Sequence, residues 1–125
     1  MDTNSKKILV AEDDHFLLSA YKVKLTKAGF DVKTATDGEE ALAILKDFTP
    51  DIILLDLVMP KMDGFDFLKK FRANETWKKI PVIVASNLGQ KDDLDKARSL
   101  GASDYVIKSD LSLDALTTKI NSNLK

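Results

Sequence analysis

Five short apolar runs, each followed by a helix-like stretch, divide the chain at regular intervals. The runs begin near Lys7, Asp31, Ile52, Pro81 and Asp104. Successive starts lie about 20 to 30 residues apart, which leaves room for one helix and two loops. Apolar runs without polar alternation are typical of parallel strands buried on both faces. The pattern predicts repeated β-α units and a parallel sheet with helices on both sides.

Helix signals stand between these runs. Apolar residues recur at helical spacing over residues 18–28, and Gly29 follows as a stop signal. Asp37 and Glu40 form a capping-box pattern at the start of a second helix, and Ser112 can cap a fifth. The expected architecture therefore has five strands and five helices.

Composition narrows the class of protein. We expect one domain spanning residues 1–125, with 44% hydrophobic residues, 31% charged residues and a net charge of −1. That charge balance gives no field for nucleic acid or for an anionic membrane, so neither is an expected direct partner. The chain has no cysteine, which excludes disulfides and thiolate zinc sites. Without a long apolar run or a signal-peptide pattern, we expect a cytoplasmic protein.

Polar side chains stand where four of the apolar runs end. They are Glu12, Asp13, Asp14, Asp56, Ser86 and Lys108. The carboxyl ends of parallel strands share one edge of the sheet, where such folds bind ligands. Carboxylates gathered there need a cation, and several carboxylate oxygens favour Mg²⁺. A carboxylate beside a cation can attack phosphorus, while a hydroxyl and an ammonium bind the phosphoryl oxygens. The edge therefore has the composition of a phosphoryl-accepting site.

Four segments of the chain together resemble the receiver domain of two-component response regulators. They are residues 8–14, 56–64, 81–86 and 101–108. The resemblance covers essentially the whole chain, in the manner of single-domain chemotaxis regulators. It implies a flavodoxin-like, doubly wound, five-stranded parallel sheet of order 2-1-3-4-5. It also implies that Asp56 accepts phosphate from a sensor histidine kinase or a phosphotransfer protein.

The resemblance assigns further roles to individual residues. Mg²⁺ or Mn²⁺ would be bound by Asp13, Asp56, Glu12 (partly through water) and the backbone carbonyl of Val58. Ser86 and Lys108 would bind the phosphoryl oxygens. Tyr105 would be a switch residue that moves inward when Ser86 is drawn to the phosphate. Output would then pass through the face of the fourth helix, fifth strand and fifth helix.

The sequence departs from the family pattern in three places. Asn87 replaces a small residue and would narrow the phosphate site or add a polar contact there. Ser109 replaces a common proline, and Ser86 replaces a common threonine. Val58 and Leu88 are apolar at positions suited to aligning a hydrolytic water, so we expect a long-lived aspartyl phosphate. The contrary reading is that Asn87 orients that water.

Two other classes of protein share a similar sheet. A haloacid-dehalogenase-type phosphatase would have Asp-x-Asp after its first strand, where this chain has Glu12-Asp13-Asp14. A flavin-binding flavodoxin would have a loop rich in Ser, Thr and Gly there, whereas acids repel the flavin phosphate. Asp14 itself reads as a helix cap. We therefore expect a switch that catalyses only its own phosphoryl transfer and autodephosphorylation, acting on a downstream protein or an effector domain.

Overall fold

The fold is that of a computed structural model describing residues 6–86, 91–108 and 112–124. Strands and helices alternate along the chain as β1 Lys7–Ala11, α1 His15–Lys27, β2 Asp31–Ala35, α2 Gly38–Leu45, β3 Ile52–Asp56, α3 Gly64–Arg72, β4 Val82–Ser86, α4 Lys91–Ser99, β5 Asp104–Ile107 and α5 Leu113–Asn123. The predicted alternation of five strands and five helices is confirmed. The departures predicted at Asn87, Leu88 and Ser109 lie outside the described residues.

The sheet has the strand order β2-β1-β3-β4-β5, and all its neighbouring strands are parallel. The predicted flavodoxin-like order is therefore confirmed. Ala11 lies opposite Leu55, and Asp56 lies opposite Ala85. This register brings the ends of the three central strands to the same level of the sheet, which is what gathers the polar residues at one edge.

Two apolar layers cover the faces of the sheet. On one face α2, α3 and α4 pack over the strands, with Phe67 and Phe71 fully buried. On the other face α1 and α5 contribute Leu25 and Ile120, which are also fully buried. Burial on both faces explains why the central strands read as continuous apolar runs. No helix in the described part of the chain is long and apolar enough to cross a membrane.

Helix caps largely follow the predicted signals. The Asp14 carboxylate accepts hydrogen bonds from the backbone N–H groups at the start of α1, as expected of a cap. Asp37 accepts a hydrogen bond from the Glu40 N–H at 2.8 Å. The reciprocal half of the predicted capping box differs, because the Glu40 carboxylate accepts from the N–H of Thr36 at 2.6 Å.

Two strand boundaries differ from the predicted ones by one residue. Strand β4 begins at Val82, because Pro81 has no N–H and offers the ladder only its carbonyl, which accepts from the Ile53 N–H. Strand β5 ends at Ile107, so Lys108 follows the strand. Its side chain starts just beyond the edge of the sheet and can turn back towards the acidic residues.

Candidate functional site

Three carboxylates meet at the carboxyl edge of the sheet. Glu12 and Asp13 follow β1, and Asp56 ends the neighbouring β3. Each offers one oxygen, and these oxygens all lie within 4.8 Å of one another. Glu12 and Asp56 are buried whereas Asp13 is exposed, so a cation here would keep water on one side. An all-oxygen, partly hydrated site of this kind fits Mg²⁺.

Lys108 lies within this acidic group. Its ammonium hydrogen-bonds to the Glu12 carboxylate and lies 3.4 Å from Asp56 Oδ2. Burial alone lowers the pKa of a lysine, but the Glu12 hydrogen bond and the negative charge of Asp56 outweigh it, and the pKa of Lys108 is raised. The ammonium therefore stays charged at neutral pH.

Asp56 is a buried acid whose protonation depends on its neighbours. Its exposed fraction is 6%. Burial, followed by the negative charge of Glu12, raises the pKa of Asp56 to about 7, against the opposing effect of Lys108. A cation bound between the carboxylates would favour the ionised form, which is the nucleophilic one.

The site opens to solvent as a pocket of about 480 Å³. Its lining residues are Glu12, Asp13, Asp14, Leu17, Asp56, Val58, Ser86 and Lys108. The predicted metal-binding and phosphoryl-binding residues within the described ranges thus come together, whereas Tyr105 does not line the pocket. Leu17 was not predicted, because it lies outside the helical series that begins at Leu18 and has no polar group that would mark it as part of a site. Asp14 borders the pocket while its carboxylate caps α1.

Ser86 and Tyr105 lie on neighbouring strands. Ser86 is 1% exposed at the end of β4, and Tyr105 is half-buried in β5. Tyr105 lies opposite Val84, two residues before Ser86, so both side chains are on the same face of the sheet. The guanidinium carbon of Arg98 in α4 lies 5.1 Å from the centre of the Tyr105 ring. The ring therefore already contacts the helix that follows Ser86 in the chain.

Sequence comparison identifies the family. The profile of the response regulator receiver domain matches residues 8–121. The chain belongs to the response regulator receiver domain family. Receiver domains are signalling switches rather than classical enzymes. This assignment agrees with the resemblance and leaves no support for the phosphatase and flavodoxin alternatives.

The curated relatives of this chain include longer regulators. A probable transcriptional regulator ycf27 of Cyanophora paradoxa is 39% identical over 108 residues, covering 86% of this chain and 44% of that protein. The DNA-binding dual master transcriptional regulator RpaA of Synechocystis sp. is 37% identical over 102 residues, covering 82% of this chain and 42% of that protein. This receiver domain thus spans less than half the length of these curated relatives.

Solved structures show the same fold over nearly the whole chain. The chemotaxis response regulator CheY4 of Vibrio cholerae superposes with a TM-score of 0.90 at 27% identity, covering 95% of this chain and 98% of that one. The receiver domain of the Francisella response regulator 1452 gives 0.86 at 33% identity, covering 94% and 95%.

Proposed function

We propose that this receiver domain is a phosphorylation-dependent switch that accepts a phosphoryl group on Asp56. The observation that carries the proposal is the position of the Asp56 carboxylate. It is buried at the end of the central strand, beside the ammonium of Lys108 and within a cluster of carboxylates that fits a divalent cation. Nucleophile, ammonium and cation site thus surround one open pocket.

The proposed reaction is a transfer from a phosphohistidine of a sensor kinase or phosphotransfer protein. A carboxylate oxygen of Asp56 attacks phosphorus, the new O–P bond forms, and the N–P bond breaks with its electron pair returning to the imidazole. Mg²⁺ or Mn²⁺, when bound, would offset negative charge on the phosphoryl oxygens. The residues proposed to hold it are Glu12, Asp13, Asp56 and the carbonyl of Val58. Lys108 and Ser86 would donate to the phosphoryl oxygens.

Intact mass spectrometry tests the acceptor. With Mg²⁺ and acetyl phosphate, the wild-type protein is expected to gain one phosphoryl group. Asp56→Asn should gain none. Asp47→Asn alters an exposed aspartate that precedes β3, whereas Asp56 ends that strand, so this variant should behave as the wild type. A phosphoryl group retained in Asp56→Asn would reject the assignment.

The exposed face of α1 supports a protein donor. Phe16 is 85% exposed and Val23 is 55% exposed, and both border an open apolar groove shared with Leu113 of α5. The groove begins beside the acidic pocket, because Leu17, the residue after Phe16, lines that pocket. We propose that a helix of the phosphodonor binds here. Phe16→Ala should then slow phosphorylation by such a donor protein but leave the rate with acetyl phosphate unchanged.

Output is proposed to pass through α4, β5 and α5. A hydrogen bond from Ser86 to the phosphoryl group would draw in the start of the β4–α4 connection and open space for the Tyr105 ring, shifting the population between two packings. The recipient is a downstream protein or an effector domain. Amide shifts caused by beryllofluoride should cluster at residues 86–110. Shifts confined to α1 and α2 would contradict this route.

A further inference from the structure

The loop that follows Asp56 has a strained backbone. This acceptor loop, residues 57–63, contains Val58, which lines the pocket. At its centre Lys61 has a φ of 64°, and it is the only non-glycine residue with positive φ in the described part of the chain. The Met62 N–H donates to the Pro60 carbonyl at 2.6 Å, which closes a three-residue turn around Lys61. Such turns persist where surrounding contacts fix them.

The first residues of α2 supply those contacts. The Gly38 N–H donates to the Met62 carbonyl at 3.1 Å. One oxygen of Asp37 caps α2, and the other lies 3.9 Å from the Lys61 ammonium. The Lys61 side chain is 66% exposed, so this ion pair contributes little. The backbone hydrogen bond between Gly38 and Met62 is therefore the main directional link between helix and loop.

Gly38 also leaves no room for a side chain. A Cβ atom there would lie 2.7 Å from the Met62 carbonyl oxygen and 2.8 Å from Met62 Cγ. Real Cβ atoms essentially never approach that closely, and one of the two contacts is backbone. Any substitution at Gly38 must therefore displace the acceptor loop or the start of α2.

We propose that Gly38 is a positioning residue for the metal site, acting through Met62 on the acceptor loop. The base of the loop is fixed by the Gly64 N–H, which donates to the Leu57 carbonyl at 2.9 Å. Close to that base, the Val58 N–H lies 3.3 Å from Asp56 Oδ1. Holding the far side of the loop against α2 sets where the Val58 carbonyl lies relative to the carboxylates. The inference rests on the proposed function, because the metal site belongs to it.

Mg²⁺ titration followed by amide NMR tests the inference without a phosphodonor. Gly38→Ala should raise the Kd for Mg²⁺ about tenfold, the low end of the effect expected from residues behind a metal's ligands. Gly29→Ala is the matched control. Gly29 has a φ of 101° and open space around it, so alanine there strains the fold without touching the acceptor loop. Its Kd should stay within about twofold of the wild type.

A second variant separates loop geometry from folding. Lys61→Gly removes the strain at φ 64° and frees the loop without a steric clash, so its Kd should rise by less than that of Gly38→Ala while stability is kept. If Gly38→Ala does not fold, a Kd of Lys61→Gly above the wild-type value supports the inference, and an unchanged Kd overturns it. An unchanged Kd in the variants that fold overturns the inference, as does an equal rise in Gly29→Ala. Wild-type protein that binds no Mg²⁺ overturns the proposed function, and the inference with it.

Discussion

The charged side chains at the two ends of the sheet have different kinds of partner. At the carboxyl end, Lys108 contacts the carboxylates of Glu12 and Asp56, and these carry more negative charge than one lysine can neutralise. At the opposite end, the Arg72 guanidinium donates to the backbone carbonyls of Gly101 at 2.7 Å and Ile80 at 2.8 Å. Arg72 is thus satisfied by neutral acceptors of fixed position, on the turn after α3 and on the loop before β5.

This difference explains which end can respond to a ligand. Carbonyls held by the fold give Arg72 one stable arrangement, and burial, which lowers its pKa, leaves a guanidinium still charged. At the carboxyl end, binding of a cation or addition of a phosphoryl group changes the net charge of the site. We therefore expect changes in activity from one end and changes in stability from the other.

Lys108→Met should give the largest effect. Removing the ammonium deprives the phosphoryl oxygens of a charged donor, so phosphorylation by acetyl phosphate should slow about 100-fold. Arg72→Met, at the other end, should phosphorylate at nearly the wild-type rate. The rates are measured by intact mass at saturating Mg²⁺. Equal slowing of phosphorylation in both variants would contradict the proposed functional difference between the two ends of the sheet.

Arg72→Met should instead destabilise the fold. The substitution leaves the carbonyls of Gly101 and Ile80 without their donor, and we expect a loss of about 2 kcal/mol in the free energy of unfolding. The melting temperature should fall by about 8 °C. Lys70→Met, at an exposed neighbouring position in α3, serves as the control and should lie close to the wild type. An unchanged melting temperature in Arg72→Met would show that the hydrogen bonds of Arg72 to these carbonyls contribute no stability.

Mg²⁺ should stabilise the folded protein by binding at the carboxyl end of the sheet. At about ten times its Kd, a cation that binds the folded state alone stabilises it by about 1.4 kcal/mol. Asp13→Ala removes a ligand and should abolish the resulting rise in melting temperature, whereas Arg72→Met should keep it. Thermal unfolding with and without Mg²⁺ provides the comparison. The cation site is refuted if wild type and Asp13→Ala gain equally.

The lifetime of the phosphorylated state should show the smallest effect. Val58 is 59% exposed at the rim of the pocket and has no side-chain group that could align a water. Val58→Asn should speed the decay of the phosphorylated mass about threefold, or about 0.7 kcal/mol in the barrier. Asn87→Ala should not slow it. A short wild-type lifetime that lengthens in Asn87→Ala would assign the water to Asn87 instead.

Much of the fold could be predicted from the sequence because its elements carry local signals. The buried runs ended within one residue of the predicted positions, and Asp14, Asp37 and Ser112 cap helices as expected. The carboxylate cluster was also predictable, since parallel strands bring their carboxyl ends to one edge. The roles of its residues remain predictions.

Contacts between distant segments could not be predicted in this way. Leu17 carries no functional signal in the sequence, and only the position of α1 beside the pocket shows that it lines the site. Gly38 reads as an ordinary first residue of a helix, and only its distance from Met62 reveals the close packing. Arg72 carries no local signal in the sequence that sets it apart from the exposed lysines before it in α3. In the structure, its three guanidinium nitrogens donate to backbone carbonyls in the α3–β4 and α4–β5 connections.

Chemical trapping of the acyl phosphate tests the central claim most directly. Sodium borohydride cleaves an aspartyl phosphate reductively and leaves homoserine in place of the aspartate, which peptide mass spectrometry can locate. After incubation with Mg²⁺ and acetyl phosphate, we predict homoserine at position 56, and none when the phosphodonor is omitted. A reduced residue at any other position, with Asp56 intact, would contradict the account.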